Sequence, residues 1–194
     1  IVTDADIAND NGASDAGGNQ GHVWGNRPHQ GQSFTTGSNP SGYALKAVTM
    51  KNRSNTVASS PTFNLIVGTI THNGSPEVLT QIGGTETGVS PSYSPSQYLT
   101  FTLDTPLTLD PNTRYGFLWG SNGQGFISAN NLSDATYPDG TALSSGDNNV
   151  ANLNNVVLRN VDRVFHLDIE ANVPTGAAEI NNEAATAITA TSAQ

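Results

Sequence analysis

Apolar and polar positions alternate strictly along two runs of the segment QYLTFTLDTPLTLDPNTRYGFLWG, Gln97 to Gly120. Leu99, Phe101 and Leu103 fall on one side of the first run, with Tyr98, Thr100 and Thr102 on the other. Tyr115, Phe117 and Trp119 line one face of the second run, after a Pro- and Asp-rich connection. A period of two built from β-branched and aromatic residues makes half-buried antiparallel strands, with one face packed inward and the other in water.

The same signal recurs at Gln32–Thr36, Tyr43–Asn52, Thr62–Thr71, Glu77–Gln81, Gly125–Ala129 and Arg163–Ala171, while helical spacing is nearly missing through residue 173. Asn73-Gly74, Asn122-Gly123 and Asp139-Gly140 supply dipeptides that accept positive φ, as tight hairpins require. Short strands at this spacing predict an all-β, antiparallel β-sandwich, most plausibly a jelly roll. The last strong strand, VFHLDIEA, turns Phe165, Leu167 and Ile169 inward and His166, Asp168 and Glu170 outward. The domain is therefore expected to span 1–173. Residues 174–194, rich in Ala, Thr, Asn and Glu and without an aromatic, form a C-terminal extension. It reads as a linker or as an arm that docks on a partner, and Ile180, Ala184 and Ile188 repeat at the spacing of a short helix.

The 194 residues suffice for a core without covalent staples, and there is no cysteine to make disulfides or thiolate sites. Seven Lys plus Arg against sixteen Asp plus Glu give a formal net charge of -9. That charge repels phosphate backbones and anionic headgroups, so neither nucleic acid nor membrane is an expected partner. No apolar run reaches the roughly 18 residues that would span a bilayer. Sparse charge with abundant Asn, Thr, Ser and Gly points to an extracellular or cell-surface location. The start at Ile1 fits a processed form, a released fragment or an expressed piece equally.

From SFTTGSNPSGYALKAVTMKN, through LTFTLDTPLTLDPNTRYGFLWG, to DRVFHLDIEA, the chain resembles the jelly-roll-like choice-of-anchor domains of bacterial surface proteins. It also looks broadly like sandwich-type carbohydrate-binding modules. The resemblance covers roughly Gly31 to Ala171 and rests on a Phe-Thr first strand, a Tyr-led central strand, and Pro-Leu-x-Leu-x-Pro before Tyr-x-Phe. It implies a surface-displayed, non-catalytic module and brings no defined functional residues.

Four groups of residues are candidates for chemistry. Asp4, Asp6, Asn9, Asp10 and Asp15 crowd one short segment, and calcium takes six to eight oxygen ligands from such side chains. The spacing is not that of an EF-hand, and a solvated turn explains the segment as well. His22, Trp24, Arg27 and His29 lie within GHVWGNRPHQG, where an aromatic plate flanked by polar side chains suits a sugar. The alternative is a Trp lid over one end of the sandwich. Tyr137 and Asp139 mark a turn-rich loop that would border a ligand groove. His166, Asp168 and Glu170 share a strand face, which more often is simply solvated.

No Gly-x-Ser-x-Gly, phosphate loop or His-Glu-x-x-His occurs, so no catalytic residues and no enzyme activity are expected. The leading expectation is a non-catalytic binding or adhesion module for glycan or another surface ligand, with structural calcium as the one cofactor considered. The second is a self-assembling subunit of an extracellular filament, sheath or surface layer. There, Ala187–Thr191 of the extension would add as a strand to a neighbour's sheet edge, making a homo-oligomer or polymer. A polysaccharide hydrolase ranks third.

Overall fold

The computed structural model describes residues 6–9, 21–23, 29–51, 62–71, 76–89, 97–121, 126–128, 130–131, 137–145 and 151–174. The expected turns at Asn73-Gly74 and Asn122-Gly123 and nearly all of the C-terminal extension lie outside them. The described residues contain strands and no helix, and every pairing is antiparallel. In chain order these are β1 (Ile7–Asn9), β2 (Gly21–Val23), β3 (His29–Thr35), β4 (Tyr43–Lys51) and β5 (Thr62–Ile70). There follow β6 (Leu79–Gln81), β7 (Glu86–Val89), β8 (Tyr98–Leu109), β9 (Arg114–Ser121) and β10 (Phe126–Ser128). The last are β11 (Asn130–Asn131), β12 (Ala142–Ser145), β13 (Val156–Arg159), β14 (Asp162–Arg163) and β15 (Phe165–Ala171).

A four-stranded sheet in the order β1-β15-β4-β8 faces a seven-stranded sheet in the order β13-β12-β3-β9-β5-β6, with β7 also paired to β5. Two ribbons, β2-β10 and β11-β14, complete the described strands. The fold is an all-β antiparallel β-sandwich. The principal pairings nest, with β3 on β9, β4 on β8, and β5 on β7.

The alternation puts the core between the sheets. Val48 and Met50 of β4, Leu99, Phe101 and Leu103 of β8, and Leu167 and Ile169 of β15 meet Leu65 and Val67 of β5 and Phe117 of β9. Rings cross the gap: Phe101 is edge-on to Trp119 at 5.8 Å, and Phe165 is tilted against Phe117 at 5.9 Å. Tilted and edge-to-face pairs of this kind add about 0.5–1.5 kcal/mol each beyond their buried area.

The expectation that the other face of β9 meets water is not met. Between the aromatic positions of β9 lie Gly116, Leu118 and Gly120 rather than polar residues. Leu118 packs in a second apolar cluster with Ile66, Ile70, Leu79, Leu143 and Val156, flanked by Ala151, Leu153 and Leu158. Ala151, Leu153, Val156 and Leu158 thus cover the wider sheet on its outer side around Leu118. Gly116 leaves room for the Leu143 side chain, which a Cβ there would approach to 2.7 Å.

A second difference concerns the Pro- and Asp-rich connection. β8 does not stop at Leu103 but runs twelve residues to Leu109, through a register shift opposite Leu45–Ala47. Pro106 is tolerated because β8 is an edge strand, where a missing N–H breaks no ladder. The turn that remains is short. Asn112 takes a positive φ of 50°, its N–H donates to Gly37 O at 2.8 Å, and the Tyr115 hydroxyl accepts from Asp110 N–H at 2.8 Å.

Phe117→Ala is expected to cost about 3–5 kcal/mol, through lost transfer energy and an incompletely collapsed cavity. Gly31→Ala is expected to be at least as damaging, because the new Cβ would lie 1.7 Å from the Phe117 carbonyl oxygen. Urea unfolding of the two variants checks both. A loss under 1 kcal/mol for either contradicts this packing.

Candidate functional site

β3 carries two chemistries on its two faces. Gln30, Gln32 and Phe34 stand opposite Trp119, Phe117 and Tyr115, so they point into the sandwich. His29, Gly31 and Ser33 point the other way.

The imidazole of His29 lies over Gly120, so close that a Cβ there would stand 2.0 Å from Nε2. His29 is 3% exposed, and its Nδ1 has no hydrogen-bond partner among the described residues. Burial pulls its pKa below the ordinary 6.5. Its cross-strand neighbour Ser145 donates its hydroxyl to Asn152 O at 2.6 Å. The short strand bearing His22 packs against β3 and β9. Trp24 and Arg27 lie outside the described residues.

Inside the sandwich, sequence reasoning missed a buried polar network. Arg163 Nη2 donates to Gln30 Oε1 at 2.7 Å, and Arg163 N–H donates to Gln32 Oε1 at 2.9 Å. Gln32 Nε2 donates to Asp162 Oδ1 at 2.8 Å, while Tyr137 N–H donates to Asp162 Oδ2 at 3.1 Å. Asn9 Nδ2 donates to Arg163 O at 2.9 Å. Desolvation first, and then Arg159, pull the Arg163 guanidinium down to about 9, with Asp162 opposing, so it stays charged at neutral pH. One signal was available: Gln30 and Gln32 occupy the inward positions of the register set by Phe34.

Tyr137 stands edge-on to Phe165 at 5.4 Å and is nearly buried. Burial pushes its hydroxyl up to about 12, with Asp139 and Asp162 adding to the shift and a backbone hydrogen bond at Thr35 opposing it. Asp139 is exposed, and its carbonyl accepts from Thr35 Oγ1 at 3.1 Å. Thr35 and His29 are opposite ends of β3, roughly 20 Å apart at the rise of a strand. The structure therefore does not bring the Asp139 turn and His29 together.

Of the acidic N-terminal cluster, Asp6 and Asn9 are described. Asp6 Oδ2 lies 3.2 Å from His166 Nε2, and Asp6 Oδ1 accepts from Ile169 N–H at 3.2 Å. Asp6 fastens the start of β1 to β15, and Asn9 fastens its end to Arg163 of β14. Asp4, Asp10 and Asp15 lie outside the described residues, and no group of three potential metal-ligating side chains occurs among those described.

The outer face of the four-stranded sheet carries a different surface. Its cross-strand rows are Lys51–Tyr98, then Ala8–His166–Thr49–Thr100, then Asp168–Ala47–Thr102. Small residues make the floor. Tyr98 is 46% exposed, with Lys51 Nζ 5.9 Å from its ring centroid. The hydroxyls of Thr49 and Thr100 share a hydrogen bond at 2.8 Å. Glu170 is paired with Lys46, and Asp6 with His166, at the margin. An exposed ring beside hydroxyls and flanking charges is equipped to stack and hydrogen-bond a polar ligand.

No protein-family model, curated protein or solved structure matches the chain. No helix among the described residues is long and apolar enough to cross a membrane.

Two outcomes follow from the buried groups. Arg163→Ala is expected to cost about 3–5 kcal/mol because it removes the donor to the buried Gln30 and the positive charge beside the buried Asp162. Lys46→Ala, at the exposed pair, should cost under about 1 kcal/mol. Chemical denaturation of both separates them, and equal losses would contradict the assignment. For His29 the unfolded chain takes up the proton first. Stability is therefore full above pH 6.5 and falls as the pH drops below it. Tyr137 works at the other limit: stability is full below pH 10 and declines as the pH rises toward 12. Urea midpoints between pH 7.5 and 5 should fall less for His29→Gln than for the unaltered chain. An unchanged acid slope would count against the buried imidazole.

Proposed function

We propose that the chain is a non-catalytic, extracellular β-sandwich module that binds glycan or another surface ligand. The observation that carries this reading is the β8 margin of the outer face of the four-stranded sheet, where Tyr98 is exposed beside Thr100, whose hydroxyl shares a hydrogen bond with that of the buried Thr49. Aromatic plates grip the C–H faces of sugars, and hydroxyl and charged groups at the margin bond the sugar's own hydroxyls. The nested strand pairing supports a jelly-roll winding, in keeping with the resemblance to choice-of-anchor and carbohydrate-binding modules. The charge of -9 favours neutral or cationic partners over nucleic acid and anionic lipid.

Among the residues first singled out, His29 and Tyr137 are buried supports, whereas Trp24 and Arg27 remain candidates for direct contact. A structural calcium would rest chiefly on Asp4, Asp10 and Asp15, since Asp6 and Asn9 are engaged in fastening β1. A non-catalytic role is supported at the exposed face. Asp168 and Glu170 are neighbours along one strand, and Glu170 is already paired with Lys46.

Affinity electrophoresis through gels containing soluble polysaccharides, with pull-down on insoluble ones, tests the reading. The protein should be retarded by at least one polysaccharide. Tyr98→Ala should weaken that binding about tenfold, the equivalent of about 1.4 kcal/mol for a lost stacking ring. Trp24→Ala, tested alongside, shows whether the loop contributes. Absence of retardation on every polysaccharide, or retention unchanged in both variants, would end the proposal.

A further inference from the structure

We infer that His166, oriented by Asp6, is a second ligand contact on the outer face of the four-stranded sheet, and that the ligand is a neutral glycan chain of at least two sugar units. The assignment rests on the ligand-binding reading and adds to it a residue that selects ligand length and reads one hydroxyl.

His166 leaves β15 on the outer face, in the cross-strand row Ala8–His166–Thr49–Thr100. Residues directly opposite one another in adjacent strands project to the same side. His166 and Thr100 therefore share a face, two strand spacings or roughly 10 Å apart. Thr49 between them is 9% exposed, and its hydroxyl is already shared with Thr100. It offers a ligand little, whereas Thr100 is exposed and the His166 side chain is 41% exposed. Tyr98 stands one row further along β8, roughly 7 Å from Thr100.

Asp6 decides what the imidazole offers. Its Oδ1 accepts from Ile169 N–H at 3.2 Å, and its Oδ2 lies 3.2 Å from His166 Nε2. Both oxygens are committed, which holds the carboxylate in one place. An ionised carboxylate only accepts, so Nε2 is the ring nitrogen that carries the proton. Nδ1 keeps its lone pair, and among the described residues no other hydrogen bond reaches the imidazole. A neutral imidazole fixed in this tautomer accepts one hydrogen bond, and a sugar hydroxyl donates it.

The charges on this face nearly cancel. Lys46 is paired with Glu170, Asp6 meets His166, Lys51 lies beside Tyr98, and Asp168 stands in the next row. Lys46 and Lys51 thus face Asp6, Asp168 and Glu170, on a chain whose net charge is -9. No surplus of positive charge is left for a uronate or sulfate. What the face presents is a ring, a hydroxyl and an acceptor nitrogen, a set that C–H faces and hydroxyl groups complement. One sugar ring laid on Tyr98 reaches Thr100 but not His166. A chain of two or more units covers both.

Affinity electrophoresis through hydroxyethyl cellulose, xylan and galactomannan, with alginate as the anionic counterpart, tests the assignment. Retardation is expected in at least one neutral gel and not in alginate. Two substitutions separate the imidazole nitrogens, since Asn places a polar atom near the site of Nδ1 and Gln near that of Nε2. His166→Asn should bind as the unaltered chain does. His166→Gln should bind at least about threefold more weakly, the equivalent of one lost neutral hydrogen bond. Asp6→Asn keeps an acceptor for Ile169 N–H but gives Nε2 a donor, which moves the ring proton to Nδ1. It should weaken binding as His166→Gln does, with the changed tautomer visible in nitrogen–proton spectra of the imidazole. Of the saccharides cut from the retarding polymer, chains of two or more units should release the protein and the monosaccharide should not. Retention in alginate alone, equal binding by the two His166 variants, unchanged tautomer or affinity in Asp6→Asn, or release by the monosaccharide would overturn the assignment. If Tyr98→Ala weakens binding while every change at His166 and Asp6 leaves it unaltered, the ligand-binding reading stands without this contact. With no retardation in any gel, both fall.

Discussion

One row of three aromatic side chains holds this structure together. Tyr115, Phe117 and Trp119 stand on the inner face of β9, the strand flanked by β3 and β5 in the wider sheet. Phe34 stacks on Tyr115 at 5.8 Å, Phe63 meets Trp119 edge-on at 5.5 Å, and Phe101 and Phe165 reach across from the opposite sheet. Each ring of the row is almost wholly buried. Burying such side chains contributes on the order of 2–3 kcal/mol apiece. More important, the row fixes the spacing between layers and therefore which residues of β4, β8 and β15 are left facing out.

The two sheets are unequal, and this explains the polar interior. A four-stranded layer does not cover the full inner face of a seven-stranded one. Under β9 and β5 the gap is filled by apolar side chains, but along β3 the inward positions are Gln30 and Gln32. Asp162 and Arg163 complete the closure there, each hydrogen-bonded to a glutamine, with Asn9 and Tyr137 joining through one bond each. Such a cluster is a poor source of net stability, because desolvation offsets most of its attraction. Its value is geometric: each partner restricts the others, so the strand bearing Asp162 and Arg163 has one way to dock.

The architecture was legible wherever alternation was clean. In β8, β9 and β15 the period of two identified both the strand and its inward face, and the core confirms Leu99, Phe101, Phe117, Trp119, Phe165 and Ile169. The sequence was less informative where strands are too short for an alternation to repeat. β12, ALSS, and β13, VVLR, have too few residues for a period to show, and β14 consists of the two charged residues Asp162 and Arg163. Pro106 misled in a different way, since proline marks a break unless the strand is known to lie at an edge. For the candidate site, composition pointed to an aromatic next to polar groups. The decisive property of Tyr98, its exposure, depends on which strand pairs beside it. The burial of His29 could not be read from a Pro-flanked loop, because it follows from the absence of a side chain at Gly120, ninety-one positions later in the chain.

A body with its apolar rows turned inward leaves the outer face of the four-stranded sheet as the surface on which the proposed ligand would sit. That division rests on β9 being the most deeply protected strand. Native-state hydrogen exchange resolved by residue measures it directly. The amides of Phe117, Leu118 and Trp119 should exchange only through global unfolding, with opening free energies equal to the urea value. Exchange of those amides at the rate of a frayed or solvent-open strand would contradict the account.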